Sequence, residues 1–311
     1  MKPQHLLILG GTGFVGSHLL PRLVRDGHRI TVLTRYRVAH RGLALLPGVR
    51  VIDADVYDAE VLAHELRDID VAINLVGILN ERGRNGRGFQ KAHVELTQTL
   101  IAACKKVGVR RLLQMSALNA GRGESFYLKT RGVAEAAIKQ SDLDWTIFRP
   151  SVIFGRGDGL FHRFAALLKI APVLPLARAD ARFAPVYVGD VCEAFARSLL
   201  SPESIGQTYE LGGPQILSLR EIVRYTALLT QRKRLVIGLP EILGKLQGHV
   251  FDFVPGKPFS SDNYKSLLLD SVPEHDGLAA LGIHPTPMQS IMPALLCGEN
   301  KQARLDRYRK T

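Results

Sequence analysis

The first chemistry legible in the chain is carried by the consecutive residues Gly10-Gly11-Thr12-Gly13-Phe14-Val15-Gly16. They match G-x-x-G-x-x-G from Gly10 and G-x-G-x-x-G from Gly11, directly after the apolar run Leu6-Leu7-Ile8-Leu9. Glycine at these places permits a tight turn, close approach of backbone to a pyrophosphate, and packing of helix on strand, while a helix N-terminus presents amide donors and a positive dipole end. The spacing predicts a dinucleotide site built on Gly10, Thr12, Gly13, Phe14, Val15 and Gly16, with a merely structural turn as the alternative. About twenty residues on, where an NAD-specific site would place an acid for the 2′-hydroxyl, the chain reads Thr34-Arg35-Tyr36-Arg37. An aspartate there would repel a 2′-phosphate, whereas Arg35 pairs with one bidentately and Arg37 stands beside it. NADP(H) is therefore expected in preference to NAD(H), against the alternative that both arginines are solvated cations of a basic chain. Asp55, followed by Val56, closes a predicted strand where it accepts from an adenine amino group or caps a turn.

Hydrophobic periodicity gives the elements that must hold these residues. Short apolar runs alternate with helix-period segments up to residue 150, the rhythm of βαβ units on a parallel sheet. Strands are predicted at Leu6–Leu9, Arg29–Leu33, Val49–Ile52, Val71–Leu75, Arg111–Met115 and Trp145–Phe148, and helices at Val15–Arg25, Glu60–Leu66, Phe89–Lys106 and Phe126–Gln140. Beyond Arg149-Pro150 the rhythm loosens, with helices predicted at Leu160–Lys169, Val191–Leu200, Leu219–Thr230 and Pro240–His249. The expected fold class is α/β: a Rossmann-type doubly wound parallel sheet over residues 1–150, with a smaller C-terminal α/β lobe over 151–311 that partly interleaves with the sheet and serves substrate or partner. Asp158 and Asp190 read as caps of the helices that follow them, a simpler role than a phosphate or metal site with His162 and Arg163.

Composition sets the outer limits. With 311 residues, 46% apolar and 23% charged, the chain is neither disordered nor collagenous in make-up. The 41 basic and 29 acidic side chains leave a formal charge of +12, split 22 against 14 in residues 1–150 and 19 against 15 in the rest. Such a field attracts dinucleotides, anionic lipid and nucleic acid. Nucleic acid is not expected, because Arg82, Arg84 and Arg87, in a Gly/Arg/Asn loop expected to be mobile without ligand, have only Phe89 as a stacking ring. The tail over residues 299–311 carries five cations against two acids, a modest attraction to an anionic leaflet. Cys104, Cys192 and Cys297 stand in no C-x-x-C, and none of the ten histidines stands in H-x-x-x-H or H-E-x-x-H, so neither disulfide nor metal is expected. No apolar run approaches the roughly 18 residues of a spanning helix, and no signal or transit segment precedes the first strand, which points to a cytoplasmic protein at most peripheral to the inner membrane.

The glycine loop, Asp55-Val56, Asn74-Leu75-Val76-Gly77, a tyrosine on a predicted helix and Phe148-Arg149-Pro150 together resemble the short-chain dehydrogenase/reductase superfamily in its extended and atypical branches. Arg149-Pro150-Ser151-Val152-Ile153-Phe154-Gly155, Pro185-Val186-Tyr187-Val188-Gly189-Asp190-Val191 and Tyr209-Glu210-Leu211-Gly212-Gly213-Pro214 are similar to the nucleotide-binding accessory subunits of respiratory complex I and their bacterial relatives. The resemblance implies further nucleotide contacts from Leu75, Val76, Gly77, Met115, Pro150 and Val152. It also implies a Tyr-x-x-x-Lys pair on one helix face, in which the lysine lowers the phenol pKa and holds the nicotinamide ribose. Here Tyr127 is followed at that place by Arg131, and Lys129 lies about 200° round the helix. Arg131 keeps the charge but cannot relay a proton. Alignment by the strand puts Ala117 at the family's serine or threonine position, with Ser116 one residue earlier; Tyr127, Arg131 and Ser116 are the catalytic candidates.

The resemblance thus implies an NADP(H)-binding accessory or assembly factor, linked to respiratory complex I or quinone metabolism, with its nucleotide as a structural ligand. Two alternatives stand beside it: an NADPH-dependent oxidoreductase or epimerase for a small carbonyl or isoprenoid-like substrate, and a sensor of the NADPH/NADP⁺ ratio.

Overall fold

Alternation along the strand β1 (His5–Leu9) explains the layering of the fold. In the computed structural model, which describes residues 3–254 and 257–297, Leu6 and Ile8 join a buried cluster on one face of a sheet and Leu7 and Leu9 a cluster on the other. A strand covered on both faces reads in sequence as an unbroken apolar run, which is what Leu6-Leu7-Ile8-Leu9 is. β2 (Arg29–Thr34), β3 (Val49–Asp53), β4 (Val71–Asn74), β5 (Arg111–Met115), β6 (Asp144–Pro150) and β7 (Gln207–Leu211) complete a seven-stranded sheet in the order β3-β2-β1-β4-β5-β6-β7, every neighbouring pair parallel. This is the Rossmann-type doubly wound sheet the sequence predicts. The order reverses between β1 and β4, and their carboxyl ends open the crevice in which such folds hold ligands.

Helices α1 (Phe14–Arg25) and α6 (Val188–Leu200) cover one face, through Leu19, Leu20, Leu23, Val191 and Phe195. On the other face lie α2 (Ala59–Glu65), α3 (Leu96–Val107) and α4 (Phe126–Lys139), through Leu62, Leu96, Leu100 and Ile138. The helix predicted from Phe89 is interrupted: a helical turn at Arg87–Phe89 runs into a π-helical stretch, Gln90–Glu95, before α3. The last strand, β7, is not predicted at all. Of its five residues only Leu211 is fully buried, so the segment has no periodicity to read.

In the second half, α5 (Leu160–Ile170) and α7 (Leu219–Leu229) pack with a parallel ribbon of Val173–Leu176 and Leu235–Gly238, burying Leu168, Leu174, Val223 and Val236. A further helix, α8 (Glu241–Phe251), follows the ribbon. Asp158 stands one residue before the cap residue of α5, Gly159, and its carboxylate holds the first turn by accepting the Phe161 N–H at 2.7 Å. Asp190 does not cap α6. It lies inside that helix, whose cap residue is Tyr187, and its carboxylate accepts the Thr286 N–H at 2.6 Å and the Thr286 hydroxyl at 2.8 Å, pinning a distant segment to the helix. The loop around Arg82, Arg84 and Arg87, expected to be loose, is wound about a buried carboxylate: Glu81 accepts the Gly86 N–H at 2.7 Å and the Gly88 N–H at 2.8 Å.

Candidate dinucleotide site

The turn after β1 rests against the segment after β4. Gly10 has φ +74°, and a Cβ there would lie 2.9 Å from the Val76 nitrogen and 3.0 Å from the Leu75 carbonyl carbon, so only glycine lets the two carboxyl ends meet. The Gly13 N–H closes the turn onto the Gly10 carbonyl at 3.0 Å. A Cβ on Gly16 would fall 2.4 Å from the Gly11 oxygen, which sets how closely α1 packs on the turn. α1 begins at Phe14 with no side-chain cap and no acid in its first turn. Its leading N–H groups are therefore left for an anion, in the field of the helix dipole. Thr12, Phe14 and Val15 are half-buried around the exposed backbone of Gly13, a cradle that fits a pyrophosphate.

Arg35 and Arg37 stand exposed just past the end of β2, and among the described residues neither guanidinium has an ion pair. The Arg37 N–H is held by the Asp53 carboxylate at 2.5 Å, which fixes the backbone and leaves both side chains free to move. Asp55 is exposed and accepts the Tyr57 N–H at 3.0 Å, a turn-capping bond that occupies one of its oxygens; Val56 behind it is buried. On the other side of β1, buried Asn74 accepts the Val76 N–H at 3.1 Å and donates to Gln114 at 3.0 Å, which holds the Leu75–Gly77 segment in place.

Tyr127 and Arg131 do share a face of α4, with the Arg131 guanidinium 5.7 Å from the tyrosine ring centroid, while Lys129 is exposed on the far side. Arg131 is 5% exposed. Its Nη1 donates to the Met115 carbonyl at 2.9 Å and the Val76 carbonyl at 3.3 Å, bridging the carboxyl ends of β4 and β5, and its other arm lies over Gly77, where a Cβ would touch it. Among the described residues its Nε has no partner. Ser116 is buried and donates to Glu135 at 2.6 Å; Glu135 in turn receives the Arg149 guanidinium at 2.6 and 2.9 Å. The serine hydroxyl proton is thus committed to a buried carboxylate. Pro150 is buried and accepts from Leu118 N–H at 3.1 Å, with Val152 half-buried beyond it. Among the described residues no group of three His, Cys, Asp or Glu is placed to hold a metal ion.

The chain is similar to several known proteins. Residues 10–159 match the NAD(P)H-binding family. Over 292 residues the chain is 28% identical to subunit 9 of the alpha subcomplex of mitochondrial NADH dehydrogenase (ubiquinone) from Rattus norvegicus, covering 91% of this chain and 77% of that protein. It is 30% identical over 198 residues to a ceramide reductase from Caulobacter vibrioides, covering 61% of this chain and 60% of the relative. Among solved structures, the UDP-glucuronic acid 4-epimerase of Bacillus cereus, in complex with UDP-glucuronic acid and NAD, superposes with a TM-score of 0.67 at 19% identity over 90% of this chain and 97% of its own. What the chain shares with such structures is the fold, the Rossmann-type sheet with its crevice between β1 and β4.

On that scaffold two further residues meet the tyrosine helix that sequence reasoning missed. His93, on the π-helical stretch, is 1% exposed, and its ring lies 5.5 Å from that of Tyr127 in an edge-on arrangement. Its Nε2 accepts the Ile78 N–H at 3.3 Å, so Nδ1 carries the proton and donates to the Thr130 hydroxyl at 2.9 Å. Burial, aided by the Arg131 charge, pushes its pKa down to about 2. A lone polar residue among Ala92, Val94 and Leu96 was the available signal, but the π-turn that aims it has no sequence mark. Asp262, from the second half, accepts the Phe126 N–H at 2.6 Å and the Tyr127 N–H at 3.2 Å, and burial raises its pKa although these amides oppose the rise. It clamps the first turn of α4 from a segment 135 residues on.

Proposed function

We propose that the protein is an NADP(H)-binding accessory or assembly factor associated with a respiratory complex of the NADH:quinone type, and that its nucleotide is chiefly a structural ligand. The observation that carries this reading is the condition of the polar groups beside Tyr127. Arg131, in the place of the family's lysine, turns one arm, Nη1, to the carbonyls of Val76 and Met115, and Ser116 donates its hydroxyl to Glu135. A guanidinium stays charged and relays no proton, and the serine hydroxyl is engaged, so the phenol has no relay for its own. Gly10, Thr12, Gly13, Phe14, Val15 and Gly16 would hold the pyrophosphate, Arg35 and Arg37 the 2′-phosphate, Asp55 and Val56 the adenine side, and Leu75, Val76, Gly77, Met115, Tyr127, Arg131, Pro150 and Val152 the nicotinamide half. Bound, the dinucleotide supplies hydride chemistry; in a structural role it acts by mass action on folding instead. The relation to the alpha-subcomplex subunit supports the partner class.

A second reading, an NADPH-dependent reductase or epimerase with Tyr127 as general acid, is favoured by the half-exposed position of Tyr127 and by the likeness to a ceramide reductase. One experiment separates them. The purified protein is examined by native mass spectrometry, titrated with NADPH and NADH, and then followed for oxidation of NADPH with aldehyde, ketone and quinone panels, beside Tyr127→Phe. Tight NADP(H) with no oxidation by the parent, and a Tyr127→Phe variant that still binds NADP(H), is the expected result. Oxidation that Tyr127→Phe abolishes would transfer the site to the enzyme reading.

A further inference from the structure

Helix α8 is built inside out. The residues it turns to the protein are glycines: a Cβ on Gly244 would meet Tyr264 at 3.1 Å and Ala177 at 3.2 Å, and one on Gly248 would meet Ser261 at 3.2 Å. Its large apolar residues face away, with Ile242 80%, Leu246 56%, Val250 53% and Leu243 48% exposed, and Phe253 follows at 72%. A surface helix ordinarily does the reverse, burying its apolar stripe. The neighbouring ribbon continues the pattern. Leu235 pairs with Val173 in register, both side chains are exposed, and Ile237 is exposed two residues on. Gln247 joins helix to ribbon, accepting the Ala177 N–H at 3.1 Å and donating to the Pro175 carbonyl at 3.0 Å. An apolar face of this kind, shared by consecutive elements, marks an interaction site.

The border of the face indicates its partner. At the ribbon end, Lys169 and Arg232 line one cavity, and Lys233 is exposed beside them; at the helix end the Arg84 guanidinium lies 4.1 Å from the centre of the Phe253 ring. The acids here are engaged, Glu241 with Lys245 at 2.7 Å and Asp252 with the Ser261 N–H at 3.3 Å. The apolar residues are aliphatic apart from Phe253, without the Tyr, Trp and Met that anchor protein partners. Among the described residues no helix is long and apolar enough to cross a membrane. We propose that this face docks on the surface of an anionic lipid bilayer, with α8, about 16 Å long, lying in the plane of the interface. The contact is separate from the basic tail over residues 299–311, which lies outside the described residues, and does not rest on the reading of the nucleotide site.

The test is co-sedimentation of the full chain with vesicles of phosphatidylcholine and phosphatidylglycerol, and with vesicles of phosphatidylcholine alone. The parent should sediment with the anionic vesicles and weakly with the neutral ones. Ile242→Glu combined with Leu246→Glu should weaken partitioning about tenfold or more, since acyl-chain burial is replaced by charge, while Leu45→Glu, on an exposed apolar residue of the other half, should change nothing. Unchanged thermal unfolding and NADPH binding would show the double variant folded. Should it not fold, Leu246→Cys in a Cys297→Ser background, labelled with an environment-sensitive dye, should blue-shift on adding anionic vesicles. The proposal is overturned if the parent stays in the supernatant, or if the double variant sediments as the parent does, which would give the contact to the tail. It is equally overturned if light scattering finds an oligomer that the double variant breaks and vesicles are not bound, which would give the face to a second copy.

Discussion

Arg35 and Arg131 are both arginines where the fold's more usual residue is different, and their surroundings give them different work. Arg35 is exposed and, among the described residues, has no ion pair, so its charge is open to a ligand. Arg35→Ser should weaken NADPH about tenfold or more in calorimetric titration and leave NADH nearly unchanged, because only the former loses a charge-assisted bond. Equal losses for both cofactors would remove the basis for the NADP(H) preference. Arg131 is buried and bound to main chain, and its role as a spacer between two strand ends was not legible from a four-residue spacing that reads equally well for catalysis. His93 has a different signature. Above an ordinary histidine pKa of about 6.5 the ring is neutral in folded and unfolded chains alike. Below it the unfolded chain takes up a proton that the folded chain refuses until about 2, so stability falls with falling pH by up to about 1.4 kcal/mol per unit. His28, also lowered by burial, adds the same sign, while Asp158, Asp190 and Asp262, raised by burial, oppose it nearer their own range. Between about pH 6.5 and 5, His93→Gln, which can keep both hydrogen bonds, should show the shallower decline in denaturant titrations; an unchanged slope would mean the ring is protonated in the fold.

At the scale of elements, the parts read best from sequence were those whose pattern and packing say the same thing. β1 is buried on both faces and apolar throughout, and the glycine loop behind it has a reason for glycine at each end. Gly16→Ala tests that reason: the new methyl would sit 2.4 Å from the Gly11 oxygen, so either α1 or the turn must shift. We expect a loss of about 3 kcal/mol or more in unfolding free energy together with loss of NADPH binding, whereas Gly27→Ala, with open space around it, should keep the nucleotide and pay only for its positive φ. Elements were missed where local pattern was absent. β7 offers one buried residue in five, and Asp190 sits in a position that looks like a cap because Thr286, the group it holds, is 96 residues away. Such long-range partners leave no trace at short spacing.

For the whole molecule, a structural nucleotide would be coupled to the stability of the sheet that holds it. A ligand that binds only the folded state at a hundred times its Kd adds about 2.7 kcal/mol, so NADPH should raise the melting temperature by several degrees and NADP⁺ by a similar amount if the role is structural. A marked difference between the two in a melting series would favour a redox sensor. The fold class and the glycine turn were legible because the apolar runs and the turn's own glycines are local in the sequence. The tyrosine's surroundings were not, because Asp262 comes from beyond residue 250 and His93 from an irregular turn.

The seventh strand has a consequence for how the chain is made. β6 ends at Pro150 and its partner β7 begins at Gln207, so at translation rates of about 5–20 residues per second the edge of β6 waits about 3–12 s for its neighbour. Through that interval a nascent chain that already holds the glycine loop presents a bare row of N–H and C=O groups, the geometry that invites pairing with another chain. The segment that supplies β7 covers that edge, so a chain ending before residue 211 is expected to aggregate, which comparison of its soluble fraction on expression with that of the full chain checks.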